Sequence, residues 1–313
     1  MSLAKKIIGG DIRSAARLIR DIEDEIPSAR EELKSIYPHT GSAHILGITG
    51  SPGTGKSTLV DQIVRAFREE GNTVGVVAVD PTSPFTDGAL LGDRVRMQRH
   101  STDEGVFIRS VATRGHLGGL SRSTSDIVDV LDAMGKDVVI VETVGVGQDE
   151  VEIVRAAQTT VVVLVPGMGD DVQAIKAGIL EIGDIFVVNK ADREGADNTV
   201  MEIEAMIERN SHADDTWRPV VVKTQANCNR GISELLEMIF KHRFILSESH
   251  RLSDLFEARV RERFLGELRE MLLKRALEKM ERDGSFNRVV RSLAEKTEDP
   301  YTQAEKTASA VLK

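Results

Sequence analysis

The stretch from His44 to Ser57 constrains the fold more than any other part of the sequence. An apolar run, His44–Thr49, leads directly into Gly50-Ser-Pro-Gly-Thr-Gly-Lys-Ser, which fits the pattern G-x-x-x-x-G-K-S. Glycines let the backbone of such a loop curl so that several N–H groups point at one phosphate, and a following helix adds the positive end of its dipole. The pattern therefore predicts a strand, a phosphate-binding loop and a helix that begins near Ser57.

The residues of this loop have separate predicted roles. Lys56 is expected to reach the β- and γ-phosphates of a nucleotide, and the Ser57 hydroxyl is expected to bind Mg²⁺. An ordinary glycine turn is the alternative, and the strand before the loop and the helix after it disfavour that alternative. The predicted nucleotide-binding residues of the loop are Gly50, Ser51, Pro52, Gly53, Thr54, Gly55, Lys56, Ser57 and Thr58.

Further apolar runs alternate with helical stretches after this loop, and they predict an α/β fold with a mostly parallel sheet covered by helices on both faces. Most runs are too apolar to face water on either side, as is typical of parallel strands. Ligands bind at the carboxyl ends of such strands, so residues that end each run are the first candidates for a site. The runs are Thr73–Val79, Val106–Val111, Asp137–Val141, Thr159–Val165, Asp184–Val188 and Val220–Val222.

Helical patterns flank this region on both sides. Apolar residues recur at three- and four-residue spacing from Ile7 to Ile26, with a break at Gly9-Gly10, and again from Leu252 to Met280 in a highly charged background. We therefore predict an N-terminal helical extension (1–43), a P-loop domain (44–245) and a C-terminal helical arm (246–313).

The residues after the run Asp184–Val188 indicate which base is bound. They read Asn189-Lys190-Ala191-Asp192, and a carboxylate at Asp192 can accept hydrogen bonds from the ring N–H and the amino group of guanine, whereas adenine presents a different edge. Asn189 is expected to tie this loop to the phosphate loop, and the Lys190 stem to lie on the base. N-K-x-D alone is a weak pattern, with a polar strand-end turn as its alternative. Its place after a strand and a phosphate loop favours GTP or GDP over ATP.

Acidic residues near other strand ends are candidates for a Mg²⁺ site. Glu142 follows one run, and Gly145 lies close enough after it to bring its N–H to a γ-phosphate. Asp80 follows another run, and Asp93 stands in Leu-Gly-Asp-Arg, where a helix cap is the alternative role. The predicted catalytic residues are Lys56, Asp93 and Glu142, and the predicted metal ligands are Ser57, Asp80, Asp93 and Glu142.

Composition limits the other functions. Lys and Arg number 41 against 50 Asp and Glu, and the net charge of −9 argues against a protein that coats nucleic acid. The single cysteine, Cys228, cannot form a disulfide within the chain. The first residues lack the apolar core of a secretory signal, and no run is long enough to span a bilayer. We expect a cytoplasmic protein with neither nucleic-acid nor membrane partners.

Several motifs, taken in order with the phosphate loop and N-K-A-D, resemble those of one family. They are D-P-T-S-P, L-G-D-R-V-R-M, R-G-H-L-G-G-L-S, E-T-V-G-V-G-Q-D-E and P-G-M-G-D-D-V-Q-A-I-K-A-G-I. Together they are similar to the MeaB/ArgK-type GTPases, the methylmalonyl-CoA mutase-associated proteins of the SIMIBI class of P-loop GTPases. The resemblance covers roughly residues 44–245. It implies a GTP-hydrolysing chaperone of an adenosylcobalamin-dependent acyl-CoA mutase. The chaperone would hydrolyse GTP slowly by itself and faster in the presence of the mutase. It would gate cofactor loading and protect or reactivate the mutase.

The resemblance also implies further residue roles and an assembly. Asp170, Gln173 and Lys176 lie in a stretch similar to the family's third switch, and they would couple the nucleotide state to the mutase. Gln225 stands where GTPases often carry serine or threonine, before the alanine (here Ala226) that meets the guanine oxygen. The C-terminal arm would hold a homodimer, with packing on its own domain as the alternative.

Two other functions stay open from sequence. The first is a protein kinase, because ArgK-like proteins have been labelled kinases of amino-acid-binding transport proteins. Those transport proteins are extracytoplasmic, and this chain shows no export-signal pattern. A metallochaperone-type GTPase is the second alternative. Its relatives carry His-rich or Cys/His clusters, and 7 scattered histidines with 1 cysteine argue against it.

Overall fold

One sheet organises the N-terminal part of the chain. The computed structural model describes residues 2–81, 98–113, 119–143, 157–167, 182–210, 216–249 and 251–311. In these residues, seven strands, all parallel, have the order β3-β2-β4-β1-β5-β6-β7. The predicted mostly parallel sheet is confirmed. The strands are β1 (His44–Thr49), β2 (Val74–Pro81), β3 (Val106–Thr113), β4 (Val138–Thr143), β5 (Thr159–Leu164), β6 (Ile185–Val188) and β7 (Val220–Lys223).

Helices cover both faces of this sheet. On one face, α4 (Lys56–Glu69) and α7 (Ile232–Glu248) pack on side chains such as Ile48 and Ile140. On the other face lie α5 (Gly119–Ala133) and α6 (Ala196–Asn210). Every residue of β1, β4, β5 and β6 is buried, because each strand has helices above and below it. This double coverage explains why these runs are almost continuously apolar.

The N-terminal extension consists of three helices, α1 (Leu3–Ile8), α2 (Ile12–Glu23) and α3 (Ala29–Ile36), which join the α5 side of the sheet. The break at Gly9-Gly10 is as predicted, and a second break near Pro27 was not predicted. Proline cannot continue a helix because it has no N–H to donate. The chain then reaches β1 through the linker before Ala43, where the Asp132 carboxylate accepts hydrogen bonds from the N–H groups of Gly41 at 2.5 Å and Ala43 at 2.9 Å.

The C-terminal residues form helices α8 (Arg251–Arg282), α9 (Ser285–Ala294) and α10 (Pro300–Val311). Helix α8 ends shortly before Gly284, which has a φ of +66° between α8 and α9. The chain divides into two compact units, Met1–Leu252 and Ser253–Lys313. No residue of α8 is buried. Among the described residues, no helix has the length and apolar character needed to cross a bilayer.

Candidate nucleotide-binding site

The loop between β1 and α4 turns tightly at the carboxyl end of the central strand. Gly50 has a φ of +137°, and a Cβ there would lie 2.1 Å from the carbonyl oxygen of Val163 on β5. Gly55 has a φ of +90°, and a Cβ there would lie 2.7 Å from the side-chain nitrogen of Asn189. Only glycine fits both the backbone conformation and the space at these positions. The loop is therefore pressed between β5 and the chain that follows β6.

Lys56 and Ser57 are the first two residues of α4, and both side chains are buried. The Lys56 ammonium donates hydrogen bonds to the carbonyl oxygens of Gly50 at 2.5 Å and Ser51 at 3.0 Å. The Ser57 hydroxyl donates to Glu142 Oε1 at 2.8 Å. Glu142 is buried near the end of β4, and it is paired in register with Ile48 of β1. The structure thus places a cation at the phosphate loop and a hydroxyl–carboxylate pair beside it.

This pair fits Mg²⁺ by the chemistry of its donors. Hydroxyl and carboxylate oxygens are ligands that Mg²⁺ prefers, and the ion commonly takes only one or two protein ligands beside phosphate oxygens and waters. Accordingly, the described residues contain no cluster of three or more His, Cys, Asp or Glu side chains that could hold a metal by itself. Ser57 and Glu142 would bind the ion, and the nucleotide phosphates would complete its coordination.

Asn189 connects the predicted base loop to the phosphate loop. The side chain is 2% exposed, and its Nδ2 donates to the carbonyl oxygen of Thr54 at 2.8 Å. Lys190, with a φ of +55°, donates from Nζ to the carbonyl oxygen of Gly53 at 2.6 Å. Asp192 lies just beyond and is exposed. The predicted tie between the two loops is present in the structure through Asn189, and Lys190, which was expected to lie on the base, adds a second hydrogen bond between the loops.

A further residue of this loop system, Thr224, was missed by the sequence analysis. Thr224 is 2% exposed, and its hydroxyl donates to Asn189 Oδ1 at 3.1 Å. The N–H of Ala226 donates to the same oxygen at 3.1 Å. Gln225 pairs through its backbone with Arg230, which closes the short loop after β7. The side-chain amide of Asn189 is thus fixed in orientation by two donors on its oxygen and one acceptor at its nitrogen.

Other predicted site residues lie outside what the structure describes. Asp80 is in the last part of β2 rather than after it, because pairing with β3 continues to Pro81, and its side chain is not described. The remaining predicted residues that lie outside the described ranges are Asp93, Gly145, Asp170, Gln173 and Lys176.

A second buried polar cluster lies at the opposite, amino edge of the sheet. His44 Nε2 is 2.8 Å from the Thr159 hydroxyl, which is 2.9 Å from His242 Nδ1, and His242 Nε2 is 3.4 Å from the Asp184 carboxylate. Burial lowers the pKa of His44 to about 3 and that of His242 to about 4, and it raises the pKa of Asp184 to about 7. These groups interact with one another at the sheet edge opposite the phosphate loop, and they are therefore not part of the nucleotide site.

A parallel sheet whose central strand leads into this phosphate loop, with a second loop tied to it by Asn189, defines a P-loop NTPase. The family follows from comparison of the whole sequence. A family model described as methylmalonyl Co-A mutase-associated GTPase MeaB matches residues 15–284, and the chain belongs to this MeaB family.

Known relatives agree with this assignment. A candidate GTPase of Pyrococcus abyssi is 51% identical over 312 residues, which are 99% of this chain and 96% of that protein. The GTPase ArgK of Escherichia coli is 40% identical over 223 residues, 70% of this chain and 67% of the relative. The crystal structure of a LAO/AO transport system kinase superposes with a TM-score of 0.73 at 26% identity, covering 99% of this chain and 97% of that one. At the level of its family, the protein is a GTPase that binds GTP and GDP.

Proposed function

We propose that this protein is a GTP-hydrolysing chaperone of an adenosylcobalamin-dependent acyl-CoA mutase of the methylmalonyl-CoA mutase type. In this proposal GTP gates cofactor loading and supports protection or reactivation of the mutase. The proposal rests on one observation: the phosphate loop, the Ser57–Glu142 pair and the Asn189 loop meet at one sheet edge in a chain of a mutase-associated GTPase family. The name of a similar mouse protein, methylmalonic aciduria type A homolog, refers to the same acid as the proposed client; this protein is 35% identical over 207 residues, which are 64% of this chain and 50% of the mouse protein.

The described residues would divide the work of hydrolysis between binding and orientation. Lys56 would hold the β- and γ-phosphates, and the N-terminus of α4 would add its positive dipole end. Ser57 and Glu142 would hold Mg²⁺, which when bound neutralises charge on the phosphate oxygens. Because Glu142 is buried and paired in register within the sheet, it can keep one position throughout the reaction.

Base recognition would come from Asp192. Asn189 and Lys190 fix the chain on either side of the phosphate loop, so the exposed carboxylate two residues further on is presented at a defined place. Asp192→Asn replaces an acceptor by a donor on one side of the carboxylate. This variant is expected to shift preference from GTP towards xanthosine triphosphate, and unchanged GTP affinity would contradict guanine recognition by Asp192.

The C-terminal arm is proposed to join two copies of the chain. Its helix α8 carries exposed apolar side chains, of which Phe264 is 63% exposed and Leu268 is 41% exposed. These two residues are one helical turn apart and so share a face. A contiguous apolar face of this kind is typical of an interface between proteins.

Steady-state GTP hydrolysis with and without the purified mutase of the same organism tests the proposed function. We expect slow hydrolysis by the protein alone and a rate increase when the mutase is added, since an incomplete site can be completed by its partner. Hydrolysis that the mutase does not change would refute the chaperone role and leave a GTPase with another client. Transfer of the γ-phosphoryl group to a protein instead of water would favour the kinase alternative.

A further inference from the structure

The boundary between the strands β4 and β1 runs through the proposed metal site. Glu142 belongs to β4, whereas Ser57 belongs to the chain that continues from β1 through the phosphate loop into α4. The main-chain ladder between the two strands ends with the pair of Ile48 and Glu142. A link between the two strands beyond this pair therefore has to come from side chains.

Such a link joins the next residue of each strand. The Thr143 hydroxyl donates a hydrogen bond to Thr49 Oγ1 at 3.1 Å, and the two residues are 2% and 0% exposed. On its other side, Thr49 is paired with Val162 of β5. Thr143 is likewise paired with Val79 of β2 on the side away from β1. The hydroxyl bond therefore continues the contact between β1 and β4 one residue past the end of their ladder.

Two side-chain links cross this boundary, and they lie on opposite faces of the sheet. Side chains alternate between the faces along a strand, so Glu142 and Thr143 point to opposite sides. Ile140, two residues before Glu142, packs on the α4 side of the sheet. Val141, two residues before Thr143, packs on the α5 side. The hydrogen bond from Ser57 to Glu142 therefore crosses on the α4 face, and the threonine pair crosses on the α5 face.

The two links differ in their relation to the metal. In the proposed site, the oxygens of Ser57 and Glu142 would face Mg²⁺, so the hydrogen bond between them would be exchanged for contacts with the ion. The hydroxyls of Thr49 and Thr143 bond to each other on the opposite face, where metal binding would leave their bond in place. The threonine pair can thus hold β4 against β1 with or without the ion.

We propose that Thr143 and Thr49 are positioning residues that hold the end of β4 against β1 and thereby set the Mg²⁺ dependence of nucleotide binding through Glu142. Residues that orient a metal ligand without touching the metal affect metal affinity in this way. The inference rests on the proposed GTP and Mg²⁺ site, and it adds two residues that would not themselves contact the nucleotide or the ion.

Nucleotide binding without metal should not depend on this pair. The phosphate loop lies against β5 at Gly50, close to Val163, and it is tied to the loop after β6 by the hydrogen bond from Asn189 to Thr54. Both contacts are on the side of β1 that faces away from β4. Loosening the end of β4 should therefore move Glu142 and leave the phosphate and base loops in place.

The test compares Thr143→Val with two matched variants in the full-length protein. Valine removes the hydroxyl and nearly keeps the shape of the side chain, whereas Thr143→Ser keeps the hydroxyl. Thr159→Val removes a hydroxyl that is also buried and also bonds to β1, at His44, but at the amino edge of the sheet. Binding of a fluorescent GDP analogue is titrated in EDTA and over a series of Mg²⁺ concentrations, and urea denaturation gives the free energy of unfolding of each variant.

For Thr143→Val we expect the half-saturating Mg²⁺ concentration to rise about tenfold, with GDP affinity in EDTA unchanged. For Thr143→Ser we expect a Mg²⁺ dependence close to that of the wild type, because the hydroxyl bond can still form. For Thr159→Val we expect the wild-type Mg²⁺ dependence together with a loss of stability, because its partners lose a buried hydrogen bond far from the metal pair.

The double variant Thr49→Val/Thr143→Val separates positioning from stability. Thr143→Val alone leaves the Thr49 hydroxyl buried without its partner, whereas replacing both partners by apolar groups of the same shape can be nearly neutral for stability. We therefore expect the double variant to regain most of the free energy of unfolding and to keep the raised Mg²⁺ requirement. If Thr143→Val does not fold, the double variant takes its place in the comparison.

Three outcomes would overturn the inference: an equal Mg²⁺ shift in Thr159→Val, an effect of Thr143→Val that is as large in EDTA, or a return of the wild-type Mg²⁺ dependence in the double variant. A shift in Thr143→Ser as large as that in Thr143→Val would also overturn it, since the hydroxyl would then not be the cause. Wild-type protein whose GDP binding does not depend on Mg²⁺ would instead contradict the proposed Mg²⁺ site, and the inference with it.

Discussion

Removing the Asn189 side chain should lower the free energy of unfolding by an amount that follows from the hydrogen bonds it makes at the start of the loop Asn189–Asp192. Asn189→Ala deletes three hydrogen bonds in a buried region: one to the Thr54 carbonyl and one each from the Thr224 hydroxyl and the Ala226 N–H. Each buried group that loses its partner costs about 1 kcal/mol or more, so the free energy of unfolding should fall by about 3 kcal/mol. Thr224→Val deletes one of these bonds and leaves Asn189 Oδ1 with the Ala226 donor, so it should cost about 1 kcal/mol.

Urea denaturation of both variants measures these free energies, and titration with a fluorescent GDP analogue measures the effect on binding. In both assays we expect the wild type to have the highest value, of the free energy of unfolding and of GDP affinity, followed by Thr224→Val and then Asn189→Ala. Because valine has nearly the same size as threonine, a packing defect does not account for the loss of stability expected for Thr224→Val. The reasoning would be refuted if Asn189→Ala lost less than about 1 kcal/mol, or if Thr224→Val lost as much as Asn189→Ala.

Three other outcomes follow from the structure. Gly55→Ala should weaken GDP binding about tenfold in the same titration. The φ of +90° at this position is strained for alanine, and the new Cβ would lie 2.7 Å from the side-chain nitrogen of Asn189. Unchanged GDP affinity would contradict this reasoning. His44→Gln should reduce acid destabilisation, measured by urea denaturation at several pH values. Burial lowers the pKa of His44 from 6.5 to about 3, so below pH 6.5 the unfolded chain takes up a proton that the folded chain does not. The free energy of unfolding therefore falls as pH falls, by up to about 1.4 kcal/mol per pH unit. If the free energy of unfolding of His44→Gln fell as steeply with pH as that of the wild type, His44 would be excluded as the cause of the acid destabilisation. Phe264→Glu/Leu268→Glu should convert a dimer to a monomer in light scattering, and a dimeric variant would exclude this face of α8.

Much of the sheet could be predicted because burial on both faces leaves a plain signal in the sequence. The run His44–Thr49 matches β1 residue for residue. Strand ends were less well predicted, since they depend on pairing with neighbours. Pairing of β2 with β4 continues to Val79 and Thr143, so Glu142 lies inside its strand rather than after it.

The role of Thr224 could not be predicted because it depends on strand register. In the structure, Val188 of β6 is paired with Lys223 of β7, which places the next residues, Asn189 and Thr224, side by side. These two residues are far apart in sequence, and no local pattern in Lys-Thr-Gln-Ala indicates the contact. The motif that begins at Asn189 could therefore be found from the sequence, whereas Thr224, which orients the Asn189 side chain, could be identified only from the fold.

The strand order explains how motifs that are separated along the chain can serve one nucleotide. In the order β4-β1-β5-β6, Glu142 of the Ser57–Glu142 pair lies near the end of the strand on one side of β1, and the loop Asn189–Asp192 follows the strand two places away on the other side. Neighbouring strands are about 4.8 Å apart, so β1 and β6 lie about 10 Å apart, and the hydrogen bond of 2.8 Å from Asn189 to Thr54 brings the two loops that follow these strands together. In the proposed site, phosphate, metal and base binding would therefore be assigned to residues at the ends of different strands of one sheet. Substitutions at Glu142 should alter Mg²⁺ dependence, and those at Asp192 should alter base preference, with little effect of either on the other property, because no side chain of the described site serves both.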